Sequence, residues 1–135
     1  MIHSTTQKRV RYGETDQMGY LYYGRYPMLY EIGRSEMIRD LGSTYREMET
    51  ELNVMMPVLY LDSRYLRPAK YDDLLTIHSK VLEMPTKMIH YQHEVYNEAE
   101  ELLNKGTVKL FFIDMTSNKR VSCPTPLADK FKLHF

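Results

Sequence analysis

A single cysteine, Cys123, among 135 residues excludes an intrachain disulfide, a CxxC redox pair and a cysteine-built zinc site. Such usage fits a reducing cytoplasm, the expected location. Charge of one sign is lacking too: 18 basic side chains stand against 18 acidic ones, a formal net charge of zero. Nucleic-acid and membrane-surface proteins usually show a basic excess, so neither partner is expected. A small anion held by a few local cations stays compatible with that balance. Long apolar runs are missing. Leu110-Phe111-Phe112-Ile113 is far too short to span a bilayer, and Met1–Arg9 has no apolar core of signal-peptide type. There is also no GxSxG elbow, no GxxxxGK[ST] phosphate loop, no HExxH, and no GxGxxG after a strand. A serine hydrolase, kinase or dinucleotide oxidoreductase of a common type is therefore disfavoured. Tryptophan is absent, whereas tyrosine occurs 12 times. Six of those tyrosines crowd between Tyr12 and Tyr30.

What is present is an ordinary globular mix, 43% hydrophobic and 27% charged. A chain of this length buries roughly two-thirds of its unfolded surface, enough for one core, so a single domain over 1–135 is expected. Lys8 to Tyr12 reads as a first strand and the residues before it as a segment of low order. From about Gly24 a helical period takes over, with Tyr26, Tyr30, Gly33, Met37 and Leu41 on one face. Pro27 fits only in the first turn of that helix, and Gly42 is a natural stop. Ser43 to Leu52 reads as a shorter helix capped by Ser43 or Thr44. Strands follow over Val54 to Leu66, Leu74 to Met84, Met88 to Tyr96 and Leu102 to Ile113, with a short last strand near Val121 and a closing helix after Pro124. No βαβ alternation occurs. An antiparallel sheet with one long helix on its face, α+β, is the economical reading.

Chemistry concentrates in Tyr12-Gly13-Glu14-Thr15-Asp16-Gln17-Met18-Gly19-Tyr20-Leu21-Tyr22-Tyr23-Gly24-Arg25-Tyr26. Two carboxylates, Glu14 and Asp16, lie in a loop flanked by aromatics and just ahead of a helix. A helix start offers unpaired N–H groups and positive potential, which polarise a carbonyl and stabilise the oxyanion formed on attack. A nearby carboxylate attacks directly or deprotonates a water. Together these are the two halves of an acyl-transfer site. On composition alone the plainer account holds the advantage: Asp16 caps a turn and the tyrosines fill a core. Periodicity places Tyr26 and Tyr30 in that core. His90 and His93, three apart on a strand, point to opposite faces and do not form a metal pair; no metal site is expected.

The same segment resembles the signature of the 4-hydroxybenzoyl-CoA thioesterase branch of the hotdog-fold acyl-CoA thioesterases. Glu14, Thr15, Asp16, Gly19, Tyr23 and Tyr26 occupy that signature's places. Arg64-Tyr65-Leu66-Arg67-Pro68-Ala69-Lys70-Tyr71-Asp72-Asp73 is similar to the family's Tyr-x-x-Pro-Ala-x-x-x-Asp turn, and Phe112-Ile113-Asp114 followed by Pro124 is a third match. The resemblance implies a hotdog fold, an antiparallel sheet wrapped around the long helix. It also implies hydrolysis of an acyl-CoA thioester at a site shared between subunits, in a homodimer or homotetramer, with no cofactor beyond the coenzyme A of the substrate. It assigns Asp16 as nucleophile or general base and the backbone N–H of Tyr23, with that of Gly24, as oxyanion donors. Gly19 lets the loop approach the acyl group, Glu14 holds the loop, and Tyr20 and Tyr22 line the acyl pocket.

One departure stands out. Many relatives carry Asn where this chain has Arg25, and Arg25 is expected to pair with Asp16 or Glu14 and favour its ionised form. Coenzyme A is a phosphate ester, so cations are expected at the pocket mouth: Lys87, Lys119 and Arg120 first, Arg67 and Lys70 next. Two rival readings remain at this stage. One is a hotdog protein that binds acyl-CoA or acyl-carrier thioesters without hydrolysis. The other is a hydratase or dehydratase, disfavoured because no histidine lies in the segment.

Overall fold

Tyr26–Asp40 forms the one long helix, α1, because Tyr26, Leu29, Tyr30, Gly33, Met37 and Ile38 recur on a single face and all are buried. Pro27 lies in its first turn, where no N–H is missed. A 3-10 turn over Tyr23–Arg25 leads in. At the far end Gly42 adopts φ +85°. Its N–H bonds to Arg39 O at 2.8 Å and that of Ser43 to Ile38 O at 3.1 Å, a Schellman cap. The computed structural model describes residues 1–135 in full.

The buried face of α1 lies on an antiparallel sheet. Strand β1 (Ile2–Arg9) pairs with β4 (Leu74–Val81), β4 with β5 (Met88–Tyr96), and β5 with β6 (Leu102–Asp114). The far side of β6 carries β3 (Val58–Tyr65), and its end carries β2 (Val54–Met55) and β7 (Arg120–Val121). Two short helices, α2 (Tyr45–Thr50) and α3 (Thr125–Lys132), close the ends. Along β4, Leu75, Ile77, Ser79 and Val81 point inward, while Thr76, His78 and Lys80 alternate outward. Twenty-three buried side chains join in one cluster between helix and sheet. Gly33 is where the two layers come closest: a Cβ there would overlap Ser79 Oγ and lie 3.0 Å from Ile77 Cγ2.

Three expectations need correction. The first strand spans Ile2–Arg9, with Ile2 opposite Val81, so the N-terminal residues are ordered. Their polar side chains hide the period, and the ladder to β4 supplies what the apolar pattern lacks. Val54 to Leu66 is two strands, broken at Met56-Pro57, where proline has no N–H for the ladder. The strand from Leu74 stops at Val81 rather than Met84. In the second helix the choice of cap falls to Thr44, whose Oγ1 accepts the Glu47 N–H at 3.0 Å.

Candidate active site

The loop between β1 and α1 is braced by Glu14. Its Oε1 accepts from Lys8 Nζ at 2.7 Å and from the Arg11 N–H at 2.8 Å. Burial works to raise the Glu14 pKa; those two bonds, with the charges of Lys8 and Arg25, outweigh it and hold the carboxyl below its usual range. The loop then folds back on itself. Asp16 N–H bonds to Tyr20 O at 2.8 Å and Gly19 N–H to Asp16 O at 3.0 Å. Gly19 sits at φ +83°, a conformation that side chains rarely adopt. Asp16 Oδ1 accepts the N–H groups of Met18 at 3.0 Å and Tyr20 at 3.1 Å. Its other oxygen, Oδ2, is engaged by nothing.

Asp16 opens on a cleft of about 290 Å³ whose walls are mainly apolar: Tyr20, Tyr23, Tyr26, Tyr65 and Leu66. The same cleft meets the start of α1, where the N–H groups of Tyr23 and Gly24 make no hydrogen bond, while Arg25 N–H bonds back to Tyr22 O at 2.9 Å. Tyr26 forms the floor. It is 3% exposed, and burial, then the neighbouring Tyr65, pushes its hydroxyl up to about 12, so it stays protonated. A larger groove of about 400 Å³ opens between Asp62, Arg64, Gln92 and Lys105. Its lining is wholly polar, which suits no acyl chain.

Of the residues singled out in the sequence, Asp16, Tyr20, Tyr23 and Arg67 line the cleft, and Gly19 shapes its loop. Tyr22 does not; its ring packs on Tyr23 with centroids 4.8 Å apart. Arg25 forms no ion pair with either carboxylate. Lys8 occupies the Glu14 side, and the Arg25 guanidinium instead reaches Gly13 O at 3.2 Å. Arg67 is paired with Glu101 at 2.8 Å. Lys87 and Arg120 line a separate cleft of about 470 Å³ with Leu59, Met88 and Phe111, the Arg120 guanidinium lying 4.4 Å from the Phe111 ring centre. Lys119 is exposed beside it and is not part of its wall. Leu59 and Tyr65 mark the two clefts at opposite ends of β3, ~20 Å apart along the strand. Sequence reasoning missed Tyr65 as a cleft wall, although it heads the Tyr-x-x-Pro-Ala match.

A carboxylate with a free oxygen, sharing an apolar cleft with a helix start whose first amides are open, is the equipment of a hydrolase for activated acyl groups. Residues 10–131 match the family described as the Thioesterase-like superfamily, and the chain belongs to it. The Haemophilus influenzae acyl-CoA thioesterase YbgC is 31% identical over 91% of this chain and 90% of its own. The Bacillus subtilis protein YneP, whose acyl-CoA thioesterase name is provisional, is 34% identical over 87% of this chain and 85% of its own. Among solved structures, a DHNA-CoA thioesterase from Staphylococcus aureus superposes with a TM-score of 0.92 at 28% identity, covering 99% of this chain and 91% of that one. The fold is the hotdog fold of these thioesterases, and the protein is a thioester hydrolase.

Proposed function

We propose that the protein hydrolyses acyl-CoA thioesters to the free acid and coenzyme A, with Asp16 Oδ2 as the reactive oxygen. One observation carries the reading: Asp16, with one oxygen unengaged, and Tyr23, with an open N–H, line one mainly apolar cleft, and the open Gly24 N–H follows in the same turn. The acyl group occupies the cleft, and the thioester carbonyl accepts from the helix-start amides. Two routes use these groups. In the first, Asp16 attacks the carbonyl carbon, the coenzyme A thiolate leaves, and water cleaves the mixed anhydride. In the second, Asp16 takes a proton from water, which attacks directly. Water is the only co-reactant in either route, so no metal or redox cofactor is called for. No histidine lines the cleft, which leaves a dehydratase without its usual second acid–base group.

The reading includes a homodimer. Val58, Leu59, Tyr60 and Leu61 are exposed along β3, an open edge of the sheet. An uncovered apolar edge strand is a template for pairing with a second copy. Antiparallel pairing of β3 with β3 about a twofold axis sets the Lys87–Arg120 cleft of one copy beside the Asp16 cleft of the other, giving the coenzyme A phosphates cations beyond Arg67, which Glu101 already pairs within the chain. A cytoplasmic location is supported by the single cysteine. No helix is long and apolar enough to cross a membrane.

The test is hydrolysis of short, long and aromatic acyl-CoAs by the wild type and by Asp16→Asn. The expected result is a fall in kcat of roughly 10²- to 10⁴-fold in the variant, with coenzyme A binding retained. Intact coenzyme A binding with no wild-type turnover on any substrate would favour a thioester-binding protein instead.

A further inference from the structure

We propose that Tyr65 is a positioning residue for the oxyanion site, its hydroxyl fixing and polarising the peptide group that ends in the Gly24 N–H. The inference rests on the reading in which that N–H receives the thioester oxygen.

Tyr65 is the last residue of β3, and its hydroxyl donates to Tyr23 O at 3.2 Å. Tyr23 O also accepts the Tyr26 N–H within the 3-10 turn. The Tyr23–Gly24 peptide thus has a doubly hydrogen-bonded carbonyl and an N–H with no partner. In a trans peptide these two groups point in opposite directions across the same conjugated unit. Bonds accepted at the oxygen draw electron density from the nitrogen and make its N–H a stronger donor. They also fix the plane. That restraint matters here because one end of the peptide is glycine, which rotates with little steric cost.

The 3-10 bond comes from the same turn and moves with it. The Tyr65 bond comes from another element and ties the peptide to the sheet. Tyr65 is itself half exposed, yet its ring is seated edge-on against Tyr26, with centroids 5.3 Å apart and planes at 84°, and Tyr26 is almost fully buried. A second edge contact, at 6.3 Å and 85°, reaches the Tyr23 ring. Those contacts belong to the ring, whereas the positioning belongs to the hydroxyl. Removing the oxygen alone separates them.

The experiment compares the full-length wild type with Tyr65→Phe. On an acyl-CoA that the wild type turns over, kcat is expected to fall roughly 3- to 10-fold with KM within about twofold. That is less than the ~10²-fold loss from deleting an oxyanion donor, because the Gly24 N–H itself remains. In ¹⁵N-labelled protein the Gly24 amide proton is expected to move upfield, with the thermal midpoint unchanged. An unchanged kcat would overturn the proposal. So would a rise in KM that accounts for the whole loss, since that is what a mere cleft wall would show. If the wild type cleaves no acyl-CoA, the hydrolase reading falls while the Gly24 resonance still decides the role of Tyr65: an upfield shift upholds it, and an unmoved resonance refutes it.

Discussion

Asp16 commits one oxygen to structure and leaves the other free for the chemistry proposed above. Oδ1 is spent on the Met18 and Tyr20 amides, and Oδ2 has no hydrogen-bond partner on a side chain that lines the cleft. Asparagine can keep the first arrangement through its carbonyl oxygen while losing the charge at the second, which makes Asp16→Asn a clean probe of reactivity. A different residue adds to the acid sensitivity of the fold. His93 is 1% exposed and stacked on Tyr30 with centroids 4.9 Å apart; its Nδ1 lies 2.9 Å from Ser79 Oγ and its Nε2 has no partner. Burial, aided by the Arg34 charge, lowers its pKa from 6.5 to about 3. Between those values the unfolded chain binds a proton that the folded one refuses. Stability is therefore held above about pH 6.5 and drains as pH falls toward 3. Urea denaturation from pH 7 to pH 4 should show a slope approaching ~1.4 kcal/mol per pH unit from this group. In His93→Gln that contribution should vanish, whatever the variant costs at pH 7. The sequence showed that His90 and His93 face opposite ways, but nothing in a lone histidine announces that the inward one is sealed between tyrosines.

Among the elements, α1 was the most legible because its apolar period, its first-turn proline and its glycine stop all agree. Its packing depends on Gly33, the point of closest approach to β4. Gly33→Ala would gain helix propensity yet drive a methyl into Ser79 Oγ and Ile77. The second effect should win, at a net cost of about 1–3 kcal/mol, read as a lower thermal midpoint. Strands were legible where one face is apolar, as in β4 and β5. β1 was not, since Ser4 and Thr6 take inward positions that the period reserves for apolar residues, and strand pairing rather than composition sets its length. The loop chemistry was legible as residue types, and the fold places Asp16 and Tyr23 of the helix start in one cleft. Arg25 was not: which cation reaches which carboxylate depends on where the end of β1 delivers Lys8, and residue types alone do not encode that.

On the proposed reading, the whole molecule presents a half-equipped surface. One end of β3 has a carboxylate and aromatic walls, and the other has Lys87 and Arg120, a separation no sequence pattern reveals because each set is drawn from segments far apart in the chain. The proposed β3 pairing brings them together. Leu61 lies mid-edge and outside the buried core, so Leu61→Lys should block pairing at little cost to the fold. Sedimentation should then report a monomer, and acyl-CoA hydrolysis should fall with it. Full activity from a monomer would refute the shared site. The opposed placement of the two clefts on β3 also has a genetic consequence. A subunit deprived of its carboxylate and a subunit deprived of its cations each keep what the other has lost. Joined through the proposed β3 pairing, they contain one doubly damaged site and one intact site, so two inactive alleles of the same gene should complement each other.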